Sequence, residues 1–165
     1  MANANLTVQR GKELLNYDEQ TGIFVRRTAP NNSTKVGAIA GTDTNCGYRA
    51  IVIDGKQYLA HRLGWLYVTG KWPQNQIDHI NGRRSDNRFS NLRDVTCSVN
   101  GQNQRRPHSP GGTLGTYLEP RCHNRWTARI CVDGVQMYLG MFATAEIAHA
   151  AYLAAKRKHH PGCTI

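Results

Sequence analysis

The sequence predicts an α+β fold in two modules, on three observations. Apolar runs broken by two-residue turns at Asp54-Gly55 and Asp133-Gly134 predict antiparallel hairpins. Helical periodicity follows over 60–68 and 144–156. Between them residues 102–113, QNQRRPHSPGGT, carry prolines, paired glycines and no apolar period, the composition of a connector. The modules are therefore set at 1–104 and 114–165, with 105–113 as the linker.

In the first module the stretch from Tyr17 to Gly22 reads as a turn before Ile23-Phe24-Val25, which predicts a first hairpin. Residues 31–34 read as loop and 36–41 as a small-residue strand or turn. The second hairpin joins 48–53 to 56–59, giving a small antiparallel platform. Over 60–68 Leu63, Leu66 and Tyr67 share a face and Gly70 stops the helix; Trp72 reads as a core residue.

Residues 76–103, QIDHINGRRSDNRFSNLRDVTCSVNGQN, concentrate the chemically capable side chains. Asp78 and His79 are neighbours, so on a strand they point to opposite faces, one able to hold a cation and the other to act as a base. Asn91 follows the histidine by 12 positions and Asn100 by 21. Hydrolysis of a phosphodiester needs those functions. An imidazole with an ordinary pKa of about 6.5 suits a general base at neutral pH. A hard divalent cation, most simply Mg²⁺ with Mn²⁺ as the alternative, accepts one carboxylate and one amide oxygen when substrate phosphate supplies more, and Asp78 and Asn100 are the candidates. Asn91 is the candidate for fixing the tautomer of His79 through Nδ1–H, leaving Nε2 to face the water. Arg83, Arg84, Arg88 and Arg93 surround the cluster, and a guanidinium fork suits a phosphate. Asparagine-rich loops also make ordinary turns, but turn chemistry does not call for the Asp-His pair at this spacing from both asparagines.

The order Asp78-His79-Ile80-Asn81, Asp86-Asn87, Asn91-Leu92-Arg93, Asn100 resembles the HNH endonucleases of phage and mobile-intron origin, in the subgroup whose last motif residue is Asn. The resemblance covers residues 58–103. It implies a ββα-metal (His-Me finger) fold, with the Asp-His pair and the middle Asn on a hairpin and the last ligand on a helix. It implies His79 as general base, Asn91 as its orienter, Asp78 and Asn100 as metal ligands, and double-stranded DNA as substrate. His61-Arg62-Leu63 followed by an aromatic is similar to the same group, so His61 or Arg62 is expected at the phosphate backbone. The rival reading is a DNA-binding transcription regulator with an inactive nuclease module; against it, none of the four motif residues is missing. An RNA-directed binding protein is a second rival, resting on charge alone.

The formal net charge is +10, which points to a polyanionic partner, and the shorter C-terminal part carries half of it. The cysteines, at 46, 97, 122, 131 and 163, form no CxxC pair, so neither a disulfide framework nor a zinc ribbon is expected. No apolar run approaches a membrane span and no secretory leader opens the chain, so a cytoplasmic protein is expected. A monomer or weak homodimer with no obligate protein partner is expected. Arg105 and Arg106 in the linker are candidates for tracking a groove.

In the second module, closure at Asp133-Gly134 sets Val132 opposite Val135, Cys131 opposite Gln136, Ile130 opposite Met137 and Arg129 opposite Tyr138. One face then collects Trp126, Ala128, Ile130, Val132, Val135, Met137 and Leu139. A helix over 144–156, with Thr144 as N-cap and Ile147, Ala148, Ala151, Tyr152 and Ala155 on one stripe, is expected to cover it, ended by Pro161-Gly162. The other face carries Thr127, Arg129, Cys131, Gln136 and Tyr138 and suits a major groove. Gly115, Trp126-Thr127-Ala128-Arg129-Ile130, Leu139-Gly140-Met141-Phe142, Ala148 and Ala151-Tyr152 resemble the apetala-two/ethylene-response-factor DNA-binding domain, a three-stranded antiparallel sheet packed on one helix. That resemblance implies DNA contact by Arg121, Arg125, Arg129, Gln136 and Tyr138. Cys131 stands where plant members often have Arg, so their target sequence does not carry over.

Overall fold

A computed structural model describes residues 6–29, 34–105, 107 and 112–165. The chain divides into two compact units, Met1–Thr96 and Cys97–Ile165. Among the described residues both are α+β and every sheet is antiparallel, as the sequence predicts. Arg106 and most of the expected linker lie outside the described residues.

In the first unit a short helix α1 (Val8–Leu14) precedes the hairpin of β1 (Leu15–Asp18) and β2 (Ile23–Arg26). The sequence reading has no α1, because VQRGKEL presents no apolar stripe. It is started by Thr7, whose hydroxyl accepts from the Arg10 amide at 3.2 Å. Next come β3 (Thr42–Asp43), β4 (Arg49–Ile53) and β5 (Lys56–Leu59) as one three-stranded sheet. Asp54 and Gly55 between β4 and β5 both have positive φ, at 46° and 75°, as a two-residue hairpin turn of this hand requires. Helix α2 (Ala60–Thr69) ends where Gly70 turns left-handed and its amide bonds Leu66 O at 2.9 Å. The core sits between these layers. Phe24 stacks on Tyr17 at 4.6 Å and meets Tyr67 edge-on at 5.3 Å, with Leu15, Ile51 and Leu63 buried around them. Trp72 packs against this core as expected, stacking on Tyr58. Strands β6 (Gln76–His79) and β7 (Leu92–Val95) form a separate two-stranded ribbon.

The second unit opens with the six-residue helix α3 (Cys97–Gln102). The chain after it is tied to the C-terminal tail: Gln102 Oε1 accepts from the Gly162 amide at 3.0 Å, and Lys156 Nζ donates to Gln104 O at 2.5 Å. Strands β8 (Thr116–Glu119), β9 (Arg125–Val132) and β10 (Val135–Phe142) form a sheet in the order β10-β9-β8, backed by α4 (Ala145–His159). The hairpin register at Asp133-Gly134 is the one the turn dictates. Gly115, at φ 77°, lies so close to Tyr152 that a Cβ there would fall 2.0 Å from the ring.

The expected apolar face needs correction at its outer end. Val135, 66% exposed, and Met137 lie outside the core cluster around Ala128 and Ile130. A bulge at Leu139 shifts the β10 register between Tyr138 and Gly140, so alternation does not run unbroken along the strand. On α4, Ile147 is 52% exposed and Lys156 takes a buried place on the stripe of Ala148 and Tyr152. Its aliphatic stem packs while Nζ reaches a carbonyl.

Candidate active site

The ribbon β6–β7 sets Asp78 opposite Arg93 and His79 opposite Leu92. Both motif residues are buried. Arg93 donates from Nε and Nη2 to Asp78 Oδ2, at 2.8 and 2.7 Å, which holds the carboxylate in one rotamer and offsets its burial. Two further contacts fix the entry to β6: the Asp94 carboxylate accepts the amides of Gln74 and Asn75 at 2.8 and 2.9 Å, and Arg62 donates to Asn75 O at 3.2 Å. Arg62 is thereby spent on the backbone of its own unit.

The loop joining the two strands sorts its three asparagines into different tasks. Asn91 Oδ1 accepts the Asn81 amide at 2.9 Å, its Nδ2 donates to Asp86 O at 2.8 Å, and its carbonyl accepts the Ile80 amide at 2.9 Å. It therefore braces the two residues that follow His79, and its amide is used up on backbone rather than on the imidazole. Asn87 does meet the ring, with its Oδ1 3.3 Å from His79 Nε2. Asp86 is held by the Arg88 fork at 2.8 and 2.7 Å, and then by Asn81 Nδ2 at 2.7 Å, which together push its pKa down to about 2. Arg88 is committed there; Arg83 is exposed, with its backbone amide bonded to Asn81 Oδ1.

Asn87 is anchored from the far side by the first hairpin. Tyr17 Oη donates to Asn87 O at 2.7 Å and the Phe89 amide donates to Glu19 O at 3.2 Å. Gly22, at φ 74°, presses on the same spot: a Cβ there would lie 2.4 Å from Asn87 C and Arg88 N. The hairpin turn thus seats the loop that carries the partner of His79.

His79 is 4% exposed and shares its pocket with two other rings. His61 meets it edge-on at 5.1 Å and 81°, and Tyr48 lies 6.0 Å from it and 5.1 Å from His61. The Arg84 guanidinium sits 5.0 Å over the Tyr48 ring and donates to Cys46 O at 3.0 Å. Burial lowers the pKa of His79 below its ordinary value, and Arg84 adds to this, against a hydrogen bond accepted by Asn87 and the charges of Asp78 and Asp86. His61, at 5% exposure, is pushed down to about 3, first by burial and then by His79 and Arg62. The expectation that His61 reaches out to a phosphate backbone is therefore corrected. Residue 61 faces inward, against the rings of Tyr48 and His79. Sequence reading missed Tyr48 and gave Asn87 no role, although the Asp86-Asn87 pair was part of the motif.

In the second unit Asn100 is half-buried on α3, and Arg105 donates to Thr164 O at 3.3 Å. Arg121 is exposed on a 3₁₀ turn, Pro120–Cys122. Arg125, Arg129, Gln136 and Tyr138 share the sheet face turned away from α4. On that face Arg129 pairs with Glu119 at 3.6 Å and lies 6.0 Å from the Tyr117 ring.

Comparison with known proteins bears on the first of these assemblies. No curated protein matches the chain. A solved structure described as "DNA binding and cleavage by the HNH homing endonuclease I-HmuI" aligns over 90% of this chain and 88% of that one, at 20% identity and a TM-score of 0.43. Residues 58–102 match the family described as HNH endonuclease, a segment that contains α2, both ribbon strands and α3. Similarity to the HNH endonuclease family thus rests on residues 58–102, the stretch that holds Asp78, His79, Asn91 and Asn100.

Proposed function

We propose that the chain is a metal-dependent endonuclease that hydrolyses phosphodiester bonds in duplex DNA, cutting one strand per site. The observation that carries the reading is the pair on β6: a buried imidazole with a lowered pKa, beside a carboxylate held in one rotamer by Arg93. An imidazole kept uncharged at neutral pH is a competent base there. Asp78 and Asn100 hold the cation in this reading. One carboxylate and one amide oxygen suit Mg²⁺, which keeps several waters, and Mn²⁺ fits the same donors. Such a cation supplies Lewis-acid stabilisation of the departing 3′ oxygen.

The remaining steps belong to the chain's own residues. Asn87 Oδ1, 3.3 Å from His79 Nε2, accepts the Nε2–H, so His79 takes the proton of water at Nδ1 in place of the Nε2 expected from the sequence. The charge of Arg84 reaches His79, and its remaining N–H groups are disposed to take non-bridging phosphate oxygens. Asn91 keeps the backbone after His79 in place. The C-terminal sheet, similar to the apetala-two domain, holds the duplex through Arg121, Arg125, Arg129, Gln136 and Tyr138, with Arg suited to guanine and Gln to adenine. Support for this comes from four of those side chains sharing the uncovered face.

A supercoiled-plasmid assay tests the reading. Nicking is expected with Mg²⁺ and not with EDTA, and His79→Ala should slow it by about a hundredfold or more, the usual worth of a general base. Nicking at the wild-type rate by His79→Ala removes the residue from its role.

A further inference from the structure

The His79 side chain leaves a strand, and a histidine χ2 torsion is broad, so the strand alone does not define the plane of the imidazole. A base that must meet a water at hydrogen-bond distance needs that plane fixed. We propose that Tyr48 and His61 are positioning residues for His79, forming an aromatic corner against which its imidazole is set. This rests on the assignment of His79 as the general base. Tyr48 lies outside residues 58–102, so the corner adds to the HNH segment a part supplied by the β3–β4 connection.

Four observations carry the proposal. The three rings are in mutual contact, at 5.1 Å for His61–His79, 5.1 Å for Tyr48–His61 and 6.0 Å for Tyr48–His79, inside the range in which aromatic pairs attract. Tyr48 and His61 are inclined at 52° to one another, so they present two differently oriented walls, and His61 meets His79 edge-on, the arrangement that resists ring rotation. His61 is buried with no hydrogen-bond partner for Nδ1, so it is a poor choice for mere filling, where a hydrocarbon side chain leaves no orphaned nitrogen. Tyr48 is itself locked in place: its amide donates to Thr44 Oγ1 at 3.1 Å, its carbonyl accepts the Thr44 amide at 2.7 Å, and Arg84 caps its ring. These restraints keep a half-buried tyrosine, outside the apolar core, aimed at the catalytic imidazole.

The test compares Tyr48→Leu, Tyr48→Phe, His61→Leu and His61→Phe of the full chain in plasmid nicking, with His79→Ala as reference and ¹⁵N-histidine NMR of the His79 ring. The two Leu variants should lose about tenfold or more in kcat with KM within about twofold, because misorientation of a reacting group acts on the chemical step. The two Phe variants should recover to within about threefold, and the His79 ring signals should move or broaden only in the Leu variants. Because Tyr48 belongs to no apolar core, its two variants decide the matter if a His61 variant fails to fold. Wild-type kcat in Tyr48→Leu overturns the corner, and so does an equal loss in Tyr48→Phe, which would make the hydroxyl the working group. Full nicking by His79→Ala instead overturns the base assignment on which the corner rests.

Discussion

A histidine kept uncharged by burial leaves two signatures on acidification, in different pH windows. In its proposed role as base His79 must be unprotonated, and burial has lowered its pKa below 6.5, so the acid limb of single-turnover nicking is expected below that value. Arg84 contributes to the lowering; removing its charge in Arg84→Met should therefore move the limb toward higher pH, and a limb that stays put or moves lower argues against His79 as the titrating group. His61 acts on stability. Its folded-state value is about 3 against an ordinary 6.5, so the unfolded chain binds the extra proton between those values. Stability is fully present above about 6.5 and falls with decreasing pH toward about 3, by about 1.4 kcal/mol per pH unit, readable from urea midpoints. Asp78 and His79 stand out in the sequence because their types and spacing match a chemical need, and the structure sets both, buried, on one strand. The sequence could not distribute work among Asn81, Asn87 and Asn91, which are chemically equal on paper. The fold assigns Asn91 to backbone and Asn87 to the imidazole. His61 was misjudged for a related reason, since what buries it includes Tyr48, which the sequence offers only as the first residue of a hairpin strand.

Among the elements, the first hairpin bears on the proposed site in a way that its own sequence does not announce. Its Tyr17 and Glu19 hold the loop of Asn87, and Gly22 fits there only because it lacks a side chain. Gly22→Ala should therefore cost about 1–2 kcal/mol for the left-handed backbone and, in addition, displace Asn87 and lower kcat by about tenfold. Gly55→Ala is the matched control: its φ is 75°, nearly the same, but no atom lies within 4 Å of the added Cβ. It should lose similar stability in urea and keep its nicking rate. Equal rate losses in both variants would mean that the hairpin contributes stability alone. Where turn chemistry dictated geometry, the sequence was easily read: Asp54-Gly55 and Asp133-Gly134 set their strands in the expected register. Elements defined by tertiary contact were not. Helix α1 lacks an apolar stripe and packs through Gly11, whose Cβ would meet Tyr67 Oη at 2.8 Å. The bulge at Leu139, likewise, follows no periodic rule, and with it went the expectation that Val135 and Met137 are covered.

Across the whole molecule a net charge of +10 sets how binding to a polyanion responds to salt, and the proposed role of the C-terminal sheet can be tested residue by residue through that response. A duplex held mainly through phosphates releases one condensed counterion for nearly every contact, so log K falls against log salt with a slope of about 0.9 per phosphate neutralised. Arg121 and Arg125 are exposed, and Arg125 lies on the sheet face turned away from α4. If they touch phosphates, the double substitution to Gln should flatten the salt slope of KM by about 2 and leave kcat unchanged. Glu119 has the opposite sign on the same face, where it offsets Arg129. Glu119→Gln should therefore tighten binding at low salt, an effect that fades as screening grows. Arg129→Gln should weaken discrimination between duplexes more than it changes the slope, because a base contact carries sequence information and a phosphate contact does not. Titrations of fluorescent duplexes at several salt concentrations separate these outcomes. An unchanged slope in the Arg121/Arg125 double variant, together with unchanged discrimination in Arg129→Gln, would remove the sheet from DNA binding and leave the charge around the HNH segment to hold the substrate alone.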